Sequence, residues 1–450
     1  MASSPSGPRW WSLSARGWTI LAAGFLLREA FSFWTGHPYD FESWVRTGYQ
    51  VSLGANPYNG FLPAVPGVSF AYTSQSISAA AYPPFWPLIL GGLYRLWDVV
   101  GGGNRFVLYF LLKQPVILAD IASALLLYHL ALRWTSDERA ATGVLLFWSF
   151  FSYTIIISAI WGQFDSFMVL VLLALLWVGG AVQRDVLYGL GVFVKWLTVI
   201  FVPLEFLRER GFRRLGVVLV IAIPLALTAA AFLAAGWSLS TFTGVSTSQT
   251  HGGGLGMNFA FPLSLTGVVN VLSVVPDFYS VVQYVWIPGV IVAGWVASKW
   301  VAAGDPRSEL RALMLVVTVF LLLRWGLEEQ YMLYLFAPVA LDVATFHPGR
   351  RTLLWFTVVL STLFLLVNND AGLRFISPAD PGIVTFTTAV DASSNWGLAR
   401  TVGLTILSVL VAITLIQWVR AIVRDEPRPR PWLLSWWPES RPTASAAENP

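Results

Sequence analysis

Six apolar runs decide most of what this chain can fold into. Residues 18–34, 107–134, 144–160, 216–236, 281–298 and 402–419 approach or exceed the roughly 20 apolar residues that cross a bilayer as a helix. Composition supports lipid as the solvent. Hydrophobic residues make up 56% of the chain and charged ones 12%, with a mean hydropathy of +0.65, where a soluble domain is about a quarter charged. Tryptophans cluster near run ends (Trp10, Trp11, Trp34, Trp134, Trp396, Trp418, Trp436, Trp437), as in an interfacial aromatic belt. A large greasy soluble core is excluded on these grounds. The chain has no cysteine, so neither a disulfide framework nor a thiolate metal site is available. The net charge of +4 is small, and its meaning lies in where the charges fall; membrane lipids are the expected surroundings, and no nucleic-acid partner is expected.

The side on which each charge falls sets the topology. Residues 1–17 carry two Arg and no small-residue cleavage motif, so they read as a cytoplasmic lead-in to a retained helix. Residues 35–105 form the first extracytoplasmic loop, in which the apolar piece 85–97, interrupted by Pro87 and two glycines, is expected to lie in the interface. The stretch 188–207 is decisive. As one span it would put Arg208, Arg210, Arg213 and Arg214 on the side opposite Arg184. As two half-helices meeting near Lys195-Trp196 it keeps all five together, which the positive-inside rule favours. With that choice all but nine of the 28 Lys and Arg fall inside, the nine being Arg28, Arg46, Arg95, Arg105, Lys113, Lys195, Arg324, Arg374 and Arg400. The long outer loop 237–283 contains no Lys or Arg, and within it 259–273 is apolar enough to be a further short or re-entrant helix. Residues 421–450 are a Pro- and Arg-rich cytoplasmic tail with an amphipathic Trp-Leu-Leu-Ser-Trp-Trp patch. The expected fold is all-α: a polytopic bundle of about ten to thirteen transmembrane helices over 18–420, without internal repeat or soluble domain.

Intramembrane polar and ionisable residues are costly and point to function by default. On this topology they gather toward the outer half: Asp40 and Glu42 after the first helix, Lys113 and Asp120 in the second, Gln163 and Asp165 after the third. Lys195 at the helix break, His251 in the loop without basic residues, and Arg324 with Glu328, Glu329 and Gln330 complete the set. Such a mixed cavity suits an anionic lipid substrate and a hydroxyl acceptor, with cations neutralising a phosphate and a carboxylate taking the proton. Plainer readings stand beside these. Lys195 can snorkel, and Lys113 and Asp120 share a helix face two turns apart. Asp165 can cap a helix, and Glu42 can sit in the first turn of the next one. His251, followed by three glycines, suits a mobile loop. His37 lies close to the two acids but has no other distinction. Arg28 and Glu29 are adjacent, so they face different ways. No cofactor is expected; Asp40, Glu42 and Asp165 leave a divalent metal open as an alternative, without any His-rich ligand spacing to support it.

Several motifs in order resemble the GT-C glycosyltransferase superfamily, whose members use lipid-phosphate sugars. Asp40-Phe41-Glu42 after the first helix looks like its Asp-x-Glu/Asp motif. Asn56-Pro57-Tyr58, Tyr82-Pro83-Pro84, Lys113-Gln114-Pro115 with Asp120, Trp161-Gly162-Gln163-Phe164-Asp165-Ser166, Phe193-Val194-Lys195 and Glu328-Glu329-Gln330-Tyr331 follow. The order is similar to that of GPI mannosyltransferases, their prokaryotic relatives, and the glucosyltransferases acting on dolichol-linked oligosaccharides. Relatives often carry His-Glu-Arg-Tyr at the last motif, so Arg324, one turn before Glu328, is the candidate to supply the missing cation. The resemblance implies an inverting hexosyltransferase with Asp40 as the base. Glu42, Lys113, Gln163, Asp165, Lys195, His251, Arg324, Glu328 and Glu329 would bind donor or acceptor. The sugar, expected to be mannose, would pass from a polyprenyl- or dolichyl-phosphate carrier to a lipid-linked acceptor on the extracytoplasmic face. That face belongs to the plasma membrane in a prokaryote and to the ER membrane in a eukaryote. The alternative is a transporter or flippase of lipid-linked sugars, although two related halves with broken helices, common in transporters, are not seen.

Overall fold

The computed structural model describes residues 13–79, 82–101, 103–243, 256–258, 284–302 and 304–424. His251, the segment 259–273 and the tail patch lie outside these residues. Among the described residues regular structure is helical, apart from a short antiparallel ladder of β1 (Phe61–Leu62) with β2 (Ile77–Ser78). The chain is an all-α polytopic membrane protein. Five helical stretches are long and apolar enough to cross a bilayer: Arg105–Thr135, Ala181–Arg208, Gly211–Ala235, Pro348–Asn368 and Asn395–Arg424. The pair Glu138–Phe150 and Ser152–Trp161, bent by 43°, makes a sixth. By that measure the described residues supply five or six crossings, and Ser166–Trp177 and Trp286–Ser298 are shorter apolar helices.

Helix α1 (Ala15–Ser32) starts where Ser14 Oγ accepts the Gly17 amide. The loop that follows holds two helices, α2 (Asp40–Ser52) and α3 (Phe85–Val100). Asn104 caps α4 (Arg105–Thr135), which ends at Ser136 with φ 54°. Asp137 caps α5 (Glu138–Phe150). Extended backbone at Phe151 then separates α5 from α6 (Ser152–Ile155), which runs into a π-helical turn, Ile156–Trp161. The remaining helices are α7 (Ser166–Trp177), α8 (Ala181–Lys195), α9 (Val202–Arg208), α10 (Val217–Ala235), α11 (Trp286–Ser298), α12 (Pro306–Leu323), α13 (Leu333–Thr345), α14 (Arg351–Asn368), α15 (Gly382–Asp391) and α16 (Ser394–Arg424).

The break at Phe151 frees carbonyls inside the bundle, and lipid offers them no donor. Arg28 supplies it. Its guanidinium donates to Ser149 O at 2.7 Å, Trp148 O at 3.3 Å and Thr154 Oγ1 at 2.9 Å, and pairs with Asp120 at 2.8 Å. Asp120 also accepts from Trp148 Nε1 and Ser158 Oγ. Two of the intramembrane charges therefore hold α1, α4 and α5 together across a bent helix.

The expected break at Lys195 is present, and it reverses the chain. Arg184 near the start of α8 lies 3.8 Å from Glu205 in α9 and 3.5 Å from Glu209. A straight helix would separate positions 184 and 205 by about 32 Å at 1.5 Å per residue. Tyr188 OH donates to Glu205 at 3.0 Å, and Thr198 Oγ1 donates to Tyr188 O at 2.8 Å. Length and hydropathy alone would make 181–208 a single crossing; these contacts make it a hairpin with Lys195 at the turn. At Gly191 a Cβ would meet Thr198 Cγ2 at 2.5 Å, so glycine permits the close return.

Contacts between ends sort the bundle. At one end Arg133 meets Trp177 O, Trp134 stacks on Phe346, Arg208 pairs with Glu309, Arg311 meets Ile422 O and Arg350 meets Ala421 O. This is the basic end. At the opposite end lie α2, the Lys195 turn and the link between α12 and α13.

Candidate active site

Asp40 is the first residue of α2, and two neighbours fix one of its oxygens. Trp161 Nε1 donates to Oδ2 at 2.9 Å and Gln163 Nε2 donates to the same atom at 2.7 Å. Oδ1 accepts no hydrogen bond among the described residues, and the side chain is 27% exposed. Both donors are aimed by the end of the π-helical turn, where Gly162 takes φ 86°. A Cβ there would sit 2.7 Å from the Phe41 ring and 3.2 Å from Lys113 Cε, so glycine is required on both counts. His37, which the sequence reading did not single out, lies beneath the pair. Its ring stacks on Trp161 with centroids 4.5 Å apart, and its Nδ1 accepts the amides of Tyr39 and Asp40 at 3.3 and 3.1 Å. Burial lowers the affinity of His37 for a proton, outweighing the attraction of Asp40.

Asp165 and Lys195 form a second unit. Lys195 Nζ meets both Asp165 oxygens at 2.9 Å, and the Tyr334 hydroxyl donates to Asp165 Oδ1. The rings of Tyr82, Phe164 and Tyr331 lie 4.7–5.1 Å from the ammonium. The lysine faces polar and aromatic protein and not lipid, as its place at a helix break requires, but its charge is already matched.

The link from α12 to α13 brings the third group. Glu328 is exposed and accepts from Gln330, while Glu329 is buried and its Oε1 accepts from Asn368 Nδ2 at 2.5 Å. Burial pushes the Glu329 carboxyl up to about 7; its hydrogen bonds work against the rise, and the charges of Glu328 and Asp40 add to it. Arg324 ends α12, held by Asn258, whose amide donates to Arg324 O at 2.8 Å. Its guanidinium lies 5.5 Å from the Tyr331 ring, its Nε is buried without a hydrogen-bond partner, and among the described residues it forms no ion pair.

Asp40, Gln163, Asp165, Lys195, Arg324, Glu328 and Glu329 are thus brought to one end. Two expected members are turned elsewhere. Glu42 is buried, paired with Arg46 at 2.6 Å, and accepts the Phe70 amide at 3.0 Å, so it pins the first loop. Lys113 does not pair with Asp120; it donates to Thr35 O at 2.6 Å, Ala159 O at 2.7 Å, Thr35 Oγ1 at 3.1 Å and Ile160 O at 3.3 Å, and has no exposed surface. Its role is to tie together chain ends that have left regular helix. The signal that would have found His37 is its spacing: an acceptor three residues before a helix's first acid is a capping position.

Fold and site together define a polytopic membrane protein whose polar groups are gathered at one end of a helical bundle. The chain belongs to glycosyltransferase family 87: the model of that family matches residues 81–324, just over half of the chain. It is a membrane glycosyltransferase. No curated protein matches it. The matched segment contains Lys113, Gln163, Asp165, Lys195 and Arg324, whereas Asp40 and the Glu328-Glu329 pair lie on either side of it.

Proposed function

We propose that this enzyme transfers a hexose, mannose by the resemblance of its motif order, from a polyprenyl-phosphate carrier to a lipid-linked acceptor, with inversion. The observation that supports this most strongly is the state of Asp40: one oxygen is held by two donors, and the other accepts no hydrogen bond among the described residues. Oδ1 takes the proton of the acceptor hydroxyl as that oxygen forms a bond to the anomeric carbon. The bond from the anomeric carbon to the phosphate oxygen breaks, and its electron pair leaves on the phosphate. Arg324, whose Nε lacks a hydrogen-bond partner among the described residues, meets the phosphate charge. Lys195 and Asp165 act as a pair that braces the wall between them. The groove beside α4 and the α8–α9 hairpin take the carrier tail. The positive-inside rule puts the basic end in the cytoplasm, so transfer occurs on the extracytoplasmic face.

The test is an assay of the full chain in proteoliposomes, with radiolabelled polyprenyl-phosphate mannose as donor and a membrane lipid extract as acceptor. Label covalently attached to an acceptor lipid is expected. Label that crosses the bilayer on its original carrier, with no new glycolipid, would favour a flippase and contradict the proposal.

A further inference from the structure

His37 has no part in the reaction as written, yet it touches both Asp40 and Trp161, one of the two donors that hold the carboxylate. Its Nδ1 accepts the amides of Tyr39 and Asp40, which is the geometry of a helix N-cap at α2. Its ring lies on Trp161 at 4.5 Å and an interplanar angle of 16°, and the Trp161 indole donates to Asp40 Oδ2. Its own amide donates to Trp161 O at 3.2 Å, so backbone and side chain dock on the same residue. Nδ1 is 3.8 Å from Asp40 Oδ2.

We propose that His37 is a positioning residue for Asp40: as a neutral ring it caps α2 and braces the indole that holds the carboxylate, and its protonation disengages the base. The inference rests on the reading of Asp40 as the base. An imidazole with a proton on both nitrogens has no lone pair for the two amides, so they lose their acceptor. Three elements press on the ring. Helix α2 contributes Asp40, the π-helical turn contributes Trp161, and residues 369–375 contribute Asn369, Arg374 and Phe375. Burial, the largest influence, and Arg374 favour the neutral ring; Asp40 and a hydrogen bond with Asn369 favour the charged one. Asp370, next in the chain, is engaged by Arg374. The balance lies on the neutral side, so the ring takes its proton below its ordinary value of 6.5.

The test compares wild type, His37→Ala and His37→Asn as full chains in proteoliposomes, again with radiolabelled polyprenyl-phosphate mannose and a membrane lipid extract. His37→Ala is expected to lower kcat by about tenfold or more, the scale of a misaligned catalytic group, with donor KM unchanged. His37→Asn keeps an acceptor suited to capping, so it should recover most of kcat. Having no ring to protonate, it should also lack the decline in rate expected of wild type as pH falls below the ordinary imidazole value of 6.5. Wild-type kcat in His37→Ala would overturn the inference. So would an acid decline in His37→Asn identical to wild type, and that comparison decides alone if the alanine variant does not fold. An active Asp40→Asn enzyme would instead remove the reading of the base itself.

Discussion

Arg324 and Glu329 are two side chains of the polar end whose surroundings their positions in the chain do not announce. Among the described residues Arg324 keeps its Nε without a hydrogen-bond partner, with its guanidinium beside Tyr331. Replacing it by Gln should raise donor KM about ten- to a hundredfold, the worth of a hydrogen bond to a charged group, with a smaller effect on acceptor KM. Equal donor KM in Arg324→Gln would remove it from the phosphate site. Glu329 is an acid raised from 4.5 to about 7. Its contribution to stability is therefore whole below about pH 4.5 and is lost as pH rises through about 7, a change of about 3 kcal/mol. The thermal midpoint of the purified protein should fall between about pH 5 and pH 8, and Glu329→Gln should flatten that dependence. At this scale the sequence was only half readable. It marked Lys113 and Lys195 as charges needing an explanation, but the explanation lies in partners 30 to 78 positions away, carbonyls in one case and Asp165 in the other.

At the scale of elements, the α8–α9 hairpin was legible because charge bias and helix geometry conflict there: Arg184 and Arg208 can share a side only if the chain turns back. The Arg184–Glu205 contact shows that it does. Because the chain has no cysteine, single cysteines can map this directly. Cysteines placed at Val182 and Phe212 should react with an impermeant thiol reagent from the same side of sealed vesicles. Labelling from opposite sides would mean a through-span. The bend between α5 and α6 was not legible, since Phe151 and Ser152 carry no strong breaking signal. What sustains it is Arg28, contributed from a helix more than a hundred residues earlier. Nor was α2 expected to seal the first loop through Glu42 and Arg46, because an acid two residues from a candidate base reads as a second functional acid.

At the scale of the whole molecule, the bundle separates two tasks. One end carries matched ion pairs and helix-end contacts that hold the protein together. The other collects a carboxylate and a guanidinium that each keep an atom without a hydrogen-bond partner among the described residues, and a buried acid pushed up to about 7. The apolar runs made the membrane class readable, and charge bias made the two ends readable. The grouping of residues from α2, the π-helical turn and the end of α12 depends on tertiary packing that no local pattern encodes. The family match covers the middle of this arrangement and leaves Asp40 outside it, so the base is the element most in need of a direct test. That test is transfer from radiolabelled polyprenyl-phosphate mannose by Asp40→Asn, purified alongside wild type and matched for thermal stability. The account predicts a loss of about 10²- to 10⁴-fold in kcat with donor KM little changed. Transfer at the wild-type rate would contradict it.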